Sequence, residues 1–179
     1  MKKDLLIVFA VVLVLALVCF GVDIQSVDEY YLTHLEDISP DDATVTLSIR
    51  CDAALENAEK LPQELREGDY LPADGVILPQ TQYVLRDGDT VFDVLYRAVR
   101  HERIQFEYQG GSANAFQTAY VQGIGYLYEF SCGEASGWVY LVNGQQPGKG
   151  CSAYTPADGD RIEWVYTCNL GQDVGGVTP

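Results

Sequence analysis

Two stretches of the sequence, TVTLSIRC at residues 44–51 and RIEWVYTC at residues 161–168, determine the expected fold. In each stretch one set of alternate positions is apolar, and a cysteine ends that apolar face. A period of two residues is typical of a β-strand with one face in a core. We therefore expect these stretches to be the first and last strands of one domain. If they run parallel and side by side, Cys51 and Cys168 meet at the same end of the sheet.

One amphipathic helix is predicted between these two strands. Thr90 and Asp93 have the spacing of a capping box, and apolar residues then recur at helical spacing over about 11 residues. Asn143-Gly144 is a strong signal for a type I′ turn. Further strands are predicted at residues 76–85, 104–108, 120–130, 138–142 and 151–154. Pro79 indicates that the first is an edge strand or two short pieces, and Gly123 and Gly125 are bulge or kink points in the third. The predicted fold class is α+β, with a β-grasp-like mixed sheet and one main helix.

The composition excludes some classes of function. The chain has 179 residues, 11 Lys and Arg against 26 Asp and Glu, and a net charge of -15. A phosphate backbone or an anionic lipid surface attracts a basic face, so we do not expect nucleic-acid binding or charge-driven lipid binding. At 47% hydrophobic residues, the chain has enough apolar side chains for one folded domain.

The N-terminal residues predict export. Lys2 and Lys3 precede an apolar run at residues 5–22, which is close to the minimum length for a membrane-spanning helix. The positive charges before the run place the N-terminus inside the cell and the domain outside. We expect a signal anchor, so that the protein is a single-pass membrane protein. The alternative is a signal peptide cleaved before Val22, which would release a secreted domain. Lipidation at Cys19 is disfavoured because Val18 stands where a small residue is required.

The expected domain organisation follows from these features. Residues 1–22 are the signal anchor or signal peptide, and residues 23–43 are an acidic linker without Lys or Arg. Residues 44–170 form the folded domain, and residues 171–179 are a glycine-rich, flexible tail.

Four cysteines lie beyond the apolar run, and an even number in an oxidising compartment predicts two disulfides. Three connectivities are open. The parallel arrangement of the first and last strands favours Cys51–Cys168, and Cys132–Cys151 then follows by elimination. With two histidines and no C-x-x-C motif, we expect no metal site.

Several motifs together resemble a known family. They are DGDTVFDVL at residues 87–95, GWVYLVNG at 137–144, GCSAY at 150–154 and DGDRIEWVY at 158–166. This combination resembles a bacterial exported domain family of unknown function, whose members are similar to the C-terminal domain of transcobalamin and intrinsic factor. In the eukaryotic cobalamin carriers that domain closes over the corrin, and a helical barrel supplies the other half of the site. The resemblance implies a corrinoid or another small molecule as ligand, with a partner completing the site.

The residues expected to line a ligand-binding face are Trp138, Tyr140, Asn143 and Tyr154. The alternative is that Trp138 and Tyr140, which share a strand face, belong to the core and that Asn143 serves only the turn. No arrangement for nucleophilic catalysis is found, and no catalytic residue or cofactor is predicted. We therefore expect a non-enzymatic, membrane-tethered extracytoplasmic binding module. The alternative is a structural or adhesive cell-surface module that binds protein or glycan.

Overall fold

The computed structural model describes residues 38–39, 41–114 and 117–174, all of which belong to one compact unit. Its strands and helices are, in chain order, β1 (Thr44–Arg50), α1 (Asp52–Glu56), α2 (Gln63–Glu67), β2 (Val76–Val84), α3 (Val91–His101), β3 (Phe106–Gln109), β4 (Tyr120–Ile124), β5 (Leu127–Tyr128), β6 (Gly137–Val142) and β7 (Arg161–Thr167). Short 3-10 turns lie at Ala58–Lys60, Gly111–Ala113 and Cys151–Ala153. The α+β fold class is confirmed.

The larger sheet has four strands in the order β2-β1-β7-β6. The first and last strands are adjacent and parallel, with Leu47 opposite Ile162 and Ile49 opposite Trp164. This confirms the arrangement that the alternating patterns predicted. β2 and β6 pair with their neighbours in antiparallel fashion, and β2 is an edge strand, as Pro79 indicated.

Helix α3 supplies the other side of the core. Thr90 caps it, with a reciprocal capping box between Thr90 and Asp93. The apolar stripe of α3 (Val91, Val94, Leu95, Ala98 and Val99) is buried in the same core as the inner faces of β1 and β7. The predicted start, spacing and length of this helix are therefore confirmed.

A second, three-stranded sheet has the order β3-β4-β5. Here the prediction of one kinked strand at residues 120–130 is wrong. The chain reverses at Gly125 and Tyr126, which both have positive φ, and β5 pairs back on β4. The prediction of a strand at residues 151–154 is also wrong, because Cys151–Ala153 is a 3-10 turn.

The predicted membrane segment at residues 5–22 and most of the acidic linker lie outside the described residues. Within the described part of the chain, no helix combines the length and apolar character needed to cross a bilayer. The proposed domain boundaries stay predictions.

The predicted disulfides Cys51–Cys168 and Cys132–Cys151 are not formed, since all four thiols of the described residues are free. The strand register gives the reason for the first pair. Arg50 is opposite Val165 in the parallel ladder, so the next step along β1 sets Cys51 level with Tyr166, two residues before Cys168. Cys132 and Cys151 contact different carbonyls, those of Asn57 and Ala119 respectively.

Candidate functional site

The candidate site is a cavity of about 400 Å³ between the two sheets. Its walls come from the start of β4, the first half of β6, the loop at residues 146–151, and Trp164 of β7. Sites for small molecules in proteins commonly have volumes of about 300–1,000 Å³ and largely apolar walls. The cavity therefore has the size and the lining of a small-molecule site.

Two of the predicted residues, Trp138 and Tyr140, line this cavity. Each side chain is mostly buried, and each has a backbone partner: Trp138 Nε1 donates to Leu127 O at 2.8 Å, and Tyr140 OH donates to Lys149 O at 2.7 Å. Burial raises the pKa of Tyr140, so its phenol stays protonated over the physiological range. These two side chains are thus fixed parts of the wall, and their polar atoms are already used.

Trp164 differs from these residues in one respect. The ring centroids of Trp164 and Tyr140 lie 5.5 Å apart, and Trp164 is only 2% exposed. Its Nε1 nevertheless has no acceptor within the described part of the chain. Gln146, in the opposite loop, also lines the cavity, and its buried Nε2 likewise has no partner among the described residues. A buried donor without an acceptor costs about 1–3 kcal/mol. Neither nitrogen is exposed on the cavity surface, and Gln146 Nε2 packs against Gly171, which does not line the cavity. A ligand therefore reaches Trp164 Nε1 only if the indole ring turns toward the cavity.

The loop at residues 146–151 is held against the start of β4. Ala119 N donates to Ser152 Oγ at 2.8 Å, and Cys151 Sγ donates to Ala119 O at 3.3 Å. Gly150 approaches Thr118 so closely that a Cβ at this position would lie 2.5 Å from Thr118 Cβ. These contacts fix the width of the cavity at this side.

The charge of the lining is low. Its ionisable side chains are Lys149, Cys151 and two tyrosines, and no carboxylate or histidine belongs to it. Burial raises the pKa of Cys151 to about 11, which keeps this thiol protonated. Tyr120, at the rim, donates to Glu129, and burial together with this hydrogen bond raises its pKa to about 12. The arrangement offers donors and aromatic surface rather than groups for acid–base chemistry.

The other two predicted residues are not in the lining. Tyr154 packs against Tyr140, with 6.3 Å between ring centroids, and so supports the wall from outside the cavity. Asn143 links the end of β6 to the start of β7, since its side chain donates to Asp160 at 2.7 Å and accepts from Arg161 N. Asn143 and Gly144 both have positive φ, as the predicted type I′ turn requires.

Sequence reasoning missed Trp164 and Gln146 as members of the site. Trp164 lies on the core face of a strand, where a tryptophan is expected for packing alone. The signal that was available is its indole N–H, which needs an acceptor when it is buried. Gln146 follows a turn, and nothing in its sequence context distinguishes it from a solvated loop residue.

Comparisons with known proteins bear on the family and the fold. No curated protein matches the sequence significantly. The structure of haptocorrin in complex with Cbi matches 74% of this chain and 27% of that chain, at 12% identity and a TM-score of 0.46. This chain therefore spans about a quarter of that protein. Residues 88–168 match the model of a family described as a domain of unknown function, DUF4430. Over those residues the chain carries the features of this family of unknown function, as its sequence motifs indicated.

Proposed function

We propose that this chain is a non-enzymatic binding module that takes up a small ligand, or one part of a larger ligand, in the cavity beside Trp164. The observation that carries the proposal is the aromatic wall of the cavity, to which Trp138, Tyr140 and Trp164 contribute. The aromatic rings cover the apolar part of such a ligand, and its carbonyl, carboxylate or amide oxygen accepts from Trp164 Nε1 once the indole ring turns toward the cavity.

A corrinoid is the first ligand class to test. The sequence resemblance suggests it, and peripheral amide groups of a corrinoid carry carbonyl oxygens of the kind that Trp164 Nε1 requires. A corrinoid is larger than a cavity of about 400 Å³. We therefore propose that one amide-bearing edge enters the cavity and that a partner protein covers the rest. We also propose that the domain is related to the β-grasp fold, that an N-terminal segment tethers it to the membrane, and that it lies outside the cell.

The test is a calorimetric titration of the full chain with cobinamide. We expect saturable binding, and Trp164→Phe should weaken it by about 3- to 10-fold, because the variant keeps an aromatic ring and loses one hydrogen-bond donor. Gln146→Leu should have a smaller effect, because Gln146 Nε2 packs against Gly171 outside the cavity lining. The matched control is Tyr83→Phe, which removes a buried hydroxyl that does not line the cavity. Equal affinities for wild type and Trp164→Phe would contradict the proposal.

The second candidate function is adhesion to protein or glycan. Exposed aromatic side chains favour it: Tyr70 and Tyr126 are each about half exposed, and their ring centroids lie 5.4 Å apart. Exposed aromatic patches commonly mark interaction surfaces. If adhesion is the function, Tyr70→Ser and Tyr126→Ser variants should abolish binding to a glycan array, whereas Trp164→Phe should leave that binding unchanged.

A further inference from the structure

Cys132 and Cys168 share one neighbourhood beside helix α1. Cys132 Sγ donates to Asn57 O at 3.6 Å, and Cys168 Sγ donates to Ala53 O at 3.4 Å. These two acceptors are linked to each other, since Asn57 Nδ2 donates to Ala53 O at 2.9 Å. Both thiols are free in the structure. The end of α1 thus brings together two cysteines that are far apart in the sequence.

The other two cysteines are separate from this pair. Cys51 is fully buried, and the charged groups that act on it are Asp52, Asp74 and Arg50 rather than another thiol. Cys151 is buried against Ala119 O on the cavity side. Neither one shares an acceptor with Cys132 or Cys168.

From this arrangement we propose that Cys132 and Cys168 form a disulfide when the protein meets an oxidant, whereas Cys51 and Cys151 stay thiols. This connectivity includes neither of the two pairs favoured by the sequence. The link would join the segment after β5 to the end of β7 and fix both against α1.

The reaction requires a second disulfide as oxidant, either a thiol–disulfide oxidoreductase or a small disulfide such as oxidised glutathione. The Cys168 thiolate attacks one sulfur of the oxidant, whose other sulfur leaves as a thiolate. The Cys132 thiolate then attacks Cys168 Sγ in the mixed disulfide and displaces the remaining oxidant sulfur. The protein loses two electrons and two protons, and the oxidant gains them as two thiols.

The exposure of the two thiols sets this order. Cys168 is partly exposed, whereas Cys132 is 2% exposed, so an external disulfide reaches Cys168 first. Burial, followed by the hydrogen bond with Cys132 and the charge of that group, raises the pKa of Cys168 to about 12; Asp173 raises it further and Lys60 lowers it. The Cys168 thiolate is therefore scarce near pH 7, and oxidation should become about tenfold faster for each pH unit up to pH 9.

The test is peptide mapping of the full chain after oxidation with oxidised glutathione and alkylation of the remaining thiols. Trypsin separates all four cysteines, because cleavage after Arg50, Lys60, Arg103, Lys149 and Arg161 places each in its own peptide. We expect peptide 104–149 linked to peptide 162–179, with peptides 51–60 and 150–161 alkylated. Cys19, in the N-terminal peptide, is scored separately.

Two variants sharpen the result. Cys168→Ser should remove the link and leave Cys132 as a thiol, whereas a variant with both Cys51→Ala and Cys151→Ala should keep the link. A Cys51–Cys168 or Cys132–Cys151 peptide would overturn the proposal. So would alkylation of all four cysteines in the wild-type chain after prolonged oxidation.

Discussion

At the scale of single residues, the side chains that line the cavity differ in whether their polar atoms have a hydrogen-bond partner. Trp138 and Tyr140 donate to backbone carbonyls, whereas Trp164 Nε1 and Gln146 Nε2 have no such acceptor among the described residues. The first pair builds the wall, whereas Gln146 Nε2 packs against Gly171, so that Trp164 Nε1 is the donor we assign to ligand recognition. This division could not be predicted from the sequence, because it depends on which carbonyls the fold places within reach of each side chain.

Gly150 tests whether the loop at residues 146–151 sets the width of the cavity. A Cβ here would meet Thr118 Cβ at 2.5 Å, so Gly150→Ala must displace the loop or β4. We expect a loss of about 1–3 kcal/mol in the free energy of unfolding, together with weaker cobinamide binding. The measurements are urea denaturation and calorimetry. Gly110→Ala is the control, because a Cβ there meets nothing within 4 Å; equal effects of the two substitutions would contradict this role of Gly150.

The buried thiol of Cys51 predicts how stability depends on pH. Burial raises the pKa of Cys51 from 9.0 to about 12, so the folded state holds the proton more tightly than the unfolded state does. This contribution is fully present below pH 9 and is lost as the pH rises toward 12. Tyr166, whose pKa burial raises from 10.0 to about 12, acts in the same direction.

The free energy of unfolding, measured by urea denaturation, should therefore fall between about pH 9 and pH 11. Cys51→Ala should make the fall less steep, because one of the titrating groups is then absent. A stability that stays constant over this range would show that these groups are not buried as the structure describes.

At the scale of elements, the turn before α3 is fixed by a nearly buried ion pair. Asp89 accepts two hydrogen bonds from Arg97, at 2.8 and 2.6 Å, and also accepts from Arg86 N. Arg97 donates in addition to Val84 O at the end of β2. The pair thus ties the helix to the strand that precedes it.

Asp89→Asn should lower the free energy of unfolding by about 2–4 kcal/mol, because it leaves the Arg97 charge largely buried without its carboxylate. The exposed pair between Arg50 and Asp52 is the matched control, with side chains 47% and 42% exposed. Asp52→Asn should cost about 0–1 kcal/mol. Thermal and urea denaturation of both variants give the comparison, and equal losses would show that the Asp89 pair is no more important than a surface pair.

The elements also show which parts of the fold the sequence can predict. α3 and the paired strands β1 and β7 were predicted because capping and alternation are local signals with a known period. The hairpin of β4 and β5 was missed because Tyr126, with φ of 66°, turns the chain without the usual Asn-Gly or Asp-Gly signal. The predicted cysteine pairing is not supported for another reason: the direction of two strands does not give their register, and a shift of two residues separates Cys51 from Cys168.

At the scale of the molecule, the cavity exists only where the two sheets meet. β4 belongs to the smaller sheet, whereas β6 and β7 belong to the larger one, and the loop at residues 146–151 closes the space between them. Trp138 and Tyr140 could be named from the sequence because a family motif contains them. Trp164 and Gln146 become neighbours through the fold alone.

The two tryptophans of the chain allow one measurement that tests the central claim directly. In a 15N-labelled sample each indole N–H gives its own NMR signal, and Trp164→Phe assigns the pair. On addition of cobinamide, we predict that the Trp164 signal moves downfield, because its donor gains an acceptor. The Trp138 signal, already bonded to Leu127 O, should stay in place. A Trp164 signal that does not move at saturating cobinamide would contradict the assignment of this cavity as the binding site.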